Sequence, residues 1–212
     1  MHPARAFLES DPAILRQRIL DNPFALIAAV SDGRPLTVHA PVLPYEEGLP
    51  CGGGGPLCLR FHLSVANPVT KALLAGSTAL AVFTGAHGYV SPDWYGLDHD
   101  QVPTWNYVSV EAEGPVTRLD EAATRALIDD LSDFFEAQLA PKPVWKSTKM
   151  TPARLDGLLR GIVAFELQPS RFEGITKLNQ NKPAAARAGV IENLEATESG
   201  TALAAEMRRI EP

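Results

Sequence analysis

The chain has 212 residues, of which 45% are hydrophobic and 21% charged, with only two cysteines. That length and balance are those of an ordinary globular protein with its own core, so general disorder and a disulfide-built scaffold are excluded. A formal net charge of −6 argues against a broad basic surface for nucleic-acid phosphates.

No stretch approaches the roughly 20 apolar residues of a membrane span, and no basic start followed by an apolar run marks a secretory leader, so a cytoplasmic setting is expected. Asp11 followed by Pro12 predicts a helix start, with Ile14, Leu15, Ile19 and Leu20 at helical spacing. Asn22 and Pro23 end that helix. Phe24 to Val30 reads as a strand buried on both faces, SDGRP from Ser31 as a turn, and Leu36 to Leu43 as the returning strand of a hairpin.

Glu46 to Pro56 is rich in Gly and Pro and predicts a loop. Its Gly52 to Gly55 run lacks the Lys-Ser/Thr of a phosphate-cradling loop and reads as a hairpin tip. Cys51 and Cys58 flank that run without the paired spacing of a zinc site, and no metal is expected. Leu57 to His62 predicts a third strand, Asn67 and Pro68 open a short helix through Leu74, and Ala79 to Thr84 is another buried strand.

Gly85 to Thr104 shows no period, yet it carries Tyr89, Trp94, Tyr95, His87 and His99. So much aromatic surface in a loop implies a site or an interface. His87 and His99 read as solvated, and Asp98, His99 and Asp100 as an acidic loop. From Trp105 to Val116 the pattern alternates, with Asn106, Val108, Val110 and Ala112 on one face and Trp105, Tyr107, Ser109, Glu111 and Glu113 on the other. Asp120 caps an amphipathic helix carrying Leu127, Ile128, Leu131, Phe134 and Phe135; Thr151 and Pro152 start a short helix to Leu159. Gly161 to Gln168 is a strand with Val163, Phe165 and Leu167 on one face, and an Ala-rich tail follows with a helix over Thr201 to Arg209. With so few βαβ alternations this order predicts a mainly β, α+β domain, an antiparallel barrel with peripheral helices, over residues 1–182. Residues 120–160 form its helical insertion and 183–212 a tail.

Four stretches carry polar and aromatic side chains where plain strands and turns would not need them: VHAP at Val38 to Pro41, FHLSVANP at Phe61 to Pro68, YVSPDWY with VPTWNY between Tyr89 and Tyr107, and KLNQNK at Lys177 to Lys182. Together, and with NPFALI at Asn22 to Ile27, they resemble the FMN-binding negative transcriptional regulator family, also called the PaiB type, from about Phe7 to Gly189. Val38 stands where that family usually has Ser, Ser64 where it has Arg, and KLNQNK replaces its common KLSQNR. The resemblance implies a bacterial, Greek-key split β-barrel of the pyridoxamine-phosphate-oxidase-like kind, with FMN at the interface of a homodimer. It implies cofactor contacts from His39 of the first stretch, from His62, Asn67 and the following Lys71, and from Ser91 and Trp94. Thr104, Trp105 and Asn106 are implied by VPTWNY, and Lys177, Gln180 and Asn181 by KLNQN.

The chemistry of those residues suits a flavin. A dianionic phosphate needs cations, hydroxyls or helix-start amides, and His62, the Asn67–Pro68 helix start and Lys71 lie within one strand-to-helix turn. The phosphate is expected between that turn and Lys177 to Asn181. Trp94, Tyr95, Trp105 and Tyr107 either wall the ring or pack at a subunit interface, and His39 is either structural or cofactor-facing. No nucleophile stands beside a base and no dinucleotide fingerprint is present. A regulator, a flavin-dependent oxidoreductase and a non-catalytic heme- or ligand-binding module all remain open, while tight sequence-specific DNA binding is not expected.

Overall fold

A computed structural model describes residues 4–46, 49–50, 57–98 and 100–210. Cys51, Gly52 to Gly55 and His99, on which sequence expectations were placed, lie outside the described residues. The strands are β1 (Leu8–Glu9), β2 (Phe24–Ser31), β3 (Arg34–Glu46), β4 (Leu49–Pro50), β5 (Cys58–Ser64), β6 (Ala79–Val90), β7 (Thr104–Gly114), β8 (Val116–Arg118), β9 (Ile162–Leu167) and β10 (Arg171–Lys177). The helices are α1 (Pro12–Asp21), α2 (Pro68–Leu74), α3 (Glu121–Ala137), α4 (Pro152–Leu159), α5 (Ala184–Glu195) and α6 (Thr201–Arg209), with a short 3-10 turn at Pro92–Tyr95. The architecture is mainly antiparallel β with helices, as the order of elements predicts. Two compact units divide the chain: Met1–Asp21, Thr84–Val110 and Glu173–Pro212 make the first, Asn22–Phe83 and Glu111–Phe172 the second.

In the second unit, β2 and β3 form a hairpin closed by Asp32 and Gly33, both with positive φ (51° and 72°), the backbone a two-residue turn between right-twisted strands requires. β3 continues the sheet to β5, β5 to β9 and β9 to β8, while β2 pairs on its other side with the start of β6, Leu26 facing Val82. Period-2 alternation sends Ala25, Ile27, Leu59, Phe61, Phe165 and Leu167 into one core, where the Phe61 and Phe165 rings meet at 5.6 Å. Each of those phenylalanines contributes about 1.5–3 kcal/mol by leaving water. The opposite face is covered by α3, through Leu127 and Leu131 on Leu43 of β3 and Ala164 of β9.

β2 corrects the expectation of a strand buried on both faces. Phe24 is 64% and Val30 55% exposed toward the two ends of the strand, while the residues between them are buried or half-buried. On α3, Phe135 is exposed rather than buried with the stripe.

In the first unit, β10 lies between β1 and β7, with the later half of β6 beside β7. The stretch after Thr84 is not a loop throughout: β6 runs on to Val90, and the 3-10 turn follows at once. The core here is Val90, Tyr95, Val108 and Leu178 against Ala186, Val190, Leu194, Leu203 and Met207 of the last two helices. Both β10 and α5 went unpredicted. Among the described residues no helix is long and apolar enough to cross a membrane.

Candidate functional site

In the first unit β10 ends on Lys177, whose side chain reaches across to the first residues of β7. Its Nζ donates to Thr104 Oγ1 at 2.5 Å and to the Trp105 carbonyl at 2.7 Å. Three residues named from VPTWNY and KLNQN therefore meet. The described structure gives this ammonium no carboxylate, and burial pushes its pKa below the ordinary lysine value. On the same strand start, the Trp105 ring is 54% exposed and stacked on His87, with ring centroids 6.0 Å apart at 27°. His87 Nδ1 lies 3.0 Å from the Gly85 carbonyl, which orients the imidazole, and Tyr89 two residues on is 49% exposed. His87 is thus not merely solvated. Sequence reasoning missed the stack because its two rings come from different strands, and only outward alternation along β6 and β7 hints at it.

Other named residues of this unit are used within the fold. Ser91 caps the 3-10 turn, Oγ accepting from Asp93 N at 3.3 Å. Trp94 is half-buried against the helical core, and Tyr95, 3% exposed, packs inside it, so Tyr95 does not wall a ring pocket. Asn106 is fully buried; its Nδ2 donates to Met207 Sδ at 3.6 Å and its Oδ1 has no partner. The Gln180 amide fastens the turn around Asn179 (φ 59°): its oxygen accepts from Leu178 N at 2.8 Å and its nitrogen donates to the Ala6 and Thr176 carbonyls. Asn181 is exposed. Gln180 also borders a groove of about 450 Å³ that includes Arg18 and Arg209.

The second unit holds the remaining candidates. His62 Nδ1 is buried without a hydrogen-bond partner, and burial lowers the imidazole pKa, which favours the neutral ring over the cation a phosphate would want. Asn67 caps α2, accepting from Val69 N at 2.8 Å, and Pro68 has no N–H, so this helix start has fewer free amides than the sequence suggests. Lys71 is exposed. His39 is exposed and stacked on Phe24, centroids 5.6 Å apart at 20°. Among the described residues no group of three or more His, Cys, Asp or Glu is placed to hold a metal.

A family model described as "Putative FMN-binding domain" matches residues 1–171. The Bacillus subtilis protein named protease synthase and sporulation protein PAI 2 is 26% identical over 184 residues, covering 87% of this chain and 84% of its own. Among solved structures, the FAD and heme binding protein from Mycobacterium smegmatis superposes with a TM-score of 0.58 at 19% identity, over 85% of this chain and 78% of its own. The flavocytochrome Anf3 from Azotobacter vinelandii does so at 0.51 and 16%, over 82% and 72%. These two likenesses show the fold alone, that of a split barrel.

Proposed function

The chain belongs to this FMN-binding domain family, and from that premise we propose that it holds FMN against the Lys177–Thr104–Trp105 cluster as a regulatory, PaiB-like protein. The cluster carries the reading. It joins a cation that has no carboxylate partner among the described residues to a hydroxyl and an exposed aromatic ring, which is what a phosphate and a flat ring system require of a protein. FMN, when bound, supplies one- and two-electron chemistry that side chains do not. Lys177 would hold the phosphate, Thr104 would orient the ammonium, and Trp105, steadied by His87, would cover the ring from water.

A homodimer with the flavin at its interface is part of the proposal. It is supported by the apolar groups each unit leaves uncovered: Tyr89 and Trp105 in the first, Phe24 and Val30 in the second. A regulatory role is supported by the sporulation name of the Bacillus subtilis relative, and a cytoplasmic setting by the free thiol of Cys58. Denaturing the purified protein and identifying the released chromophore by mass is the direct test. Equimolar FMN supports the reading; protein that neither retains nor takes up FMN sinks it.

A further inference from the structure

We propose that Lys182 is a positioning residue for the phosphate site: it moors Gln101, and with it the entry of β7, where Thr104 and the Trp105 carbonyl aim the Lys177 ammonium. The proposal rests on the FMN reading above and adds to it two side chains that touch no ligand.

The turn after β10 sets the geometry. Lys177 ends that strand, and Lys182 closes the turn, its backbone N–H donating to the Asn179 carbonyl at 2.9 Å. Between them Asn179 takes a positive φ of 59°, and the Gln180 amide ties the turn to Leu178 N and the Thr176 carbonyl. The two lysines therefore leave a fastened turn from its two ends, and both reach the same short stretch of chain. Lys177 donates to Thr104 Oγ1 and the Trp105 carbonyl; Lys182 Nζ donates to Gln101 Oε1 at 2.6 Å.

The second tie decides how the chain enters β7. Val102 is 72% exposed and so packs little, Pro103 has no N–H to donate, and Gln101 is the point at which this stretch is held. Lys182 is itself steadied: its ammonium lies 4.8 Å from the centroid of the Tyr95 ring, which belongs to the helical core. An ammonium with two donors spent on fixed acceptors presents its third in one direction. Freeing Gln101 loosens those acceptors, so the third donor of Lys177 loses its aim without losing its charge.

The test titrates FMN and riboflavin into the full-length wild type, Lys182→Met, Lys182→Arg, Gln101→Met and the Lys182→Met/Gln101→Met double variant. Lys182→Met should weaken FMN about threefold to tenfold, the range of one hydrogen bond, and leave riboflavin unchanged. Lys182→Arg, which keeps a donor and a cation over Tyr95, should restore FMN. Because Lys182 acts through Gln101, the double variant should bind FMN no worse than Gln101→Met alone. A second measurement needs no ligand: the amide resonances of Thr104 and Trp105 should shift in Lys182→Met and return in Lys182→Arg. The proposal is overturned by unmoved resonances, by wild-type FMN affinity in Lys182→Met, by no recovery in Lys182→Arg, or by an equal loss of FMN and riboflavin. A full further loss in the double variant overturns it too, since the Lys182 charge would then act on the phosphate directly. Failure of the FMN reading looks different: the wild type then binds no FMN at all, and the phosphate role of Lys182 falls with it even where the resonances move.

Discussion

Lys177 donates to a hydroxyl and a carbonyl, while burial biases it toward its neutral form. An ammonium has three donors, and two are engaged. A phosphate would take the third and supply the counter-charge that neither Thr104 nor Trp105 provides. Lys177→Ala should therefore cost about 1.5–3 kcal/mol of FMN binding, tenfold to a hundredfold, and leave riboflavin, which has no phosphate, unaffected. Titrating both ligands into both proteins checks this, and a loss shared equally by the two ligands would remove Lys177 from the phosphate. His62 gives a different readout. Burial lowers its pKa from the ordinary 6.5, so between that lowered value and 6.5 the unfolded chain binds a proton that the folded chain refuses. Stability therefore rises with pH through this window and falls on acidification. Denaturant midpoints should drop from pH 7.5 to 5.5, and by less in His62→Gln; an equal drop in both proteins would exonerate His62.

Glycine sets how closely α5 docks. A Cβ on Gly189 would meet the Trp94 carbonyl oxygen at 2.4 Å, a backbone atom with nowhere to retreat. Gly189→Ala is expected to destabilise the protein by about 1–3 kcal/mol and to change Trp94 fluorescence as the helix lifts from the 3-10 turn. An unshifted melting midpoint would show that α5 does not need this approach. At the other end of the scale, Asp120→Ala should cost about 1 kcal/mol by freeing one amide of α3, read as a lower denaturant midpoint. These two helices explain what was legible. α3 announces itself by a cap and an apolar stripe, and β7 by clean alternation that correctly put Asn106 on the buried side. α5 is hidden because its inward face includes Arg187, buried with Nη2 donating to the Met207 and Ile210 carbonyls, and close-packing Gly189. Periodicity reads such positions as solvent-facing. β10 and the late half of β6 escaped for a related reason: short, Gly-containing segments become strands through their neighbours rather than through propensity. The site was legible as residue types in VPTWNY and KLNQN, but the Lys177 to Thr104 meeting and the His87 stack are long-range events that no local window contains.

At the scale of the whole molecule, a net charge of −6 and no described helix presenting a basic reading face argue that the isolated chain makes no nanomolar, operator-specific complex with DNA at physiological salt. A gel shift with that specificity would reverse this and make any regulation direct. Association with a second copy is the other expectation, and it rests on large side chains left about half exposed or more. Aromatic and aliphatic groups scattered singly on a surface are ordinary, but Trp105 with His87 and Tyr89 on neighbouring strands are grouped, and Phe24 stands exposed beside His39 on the second unit's sheet. A twofold dimer covers each such patch with a symmetry-related partner, and buried Trp is among the residues that carry most interface energy. Sedimentation velocity at micromolar concentration should show a dimer. Trp105→Glu, which puts a charge where a ring is proposed to be buried, should weaken it by about 2 kcal/mol or more, roughly thirtyfold. Phe24→Glu asks the same of the second unit's sheet, and whichever variant dissociates identifies the face in use. A wild-type protein that sediments only as monomer, with and without FMN, would refute the interface and leave the Lys177 cluster to bind its cofactor within one chain.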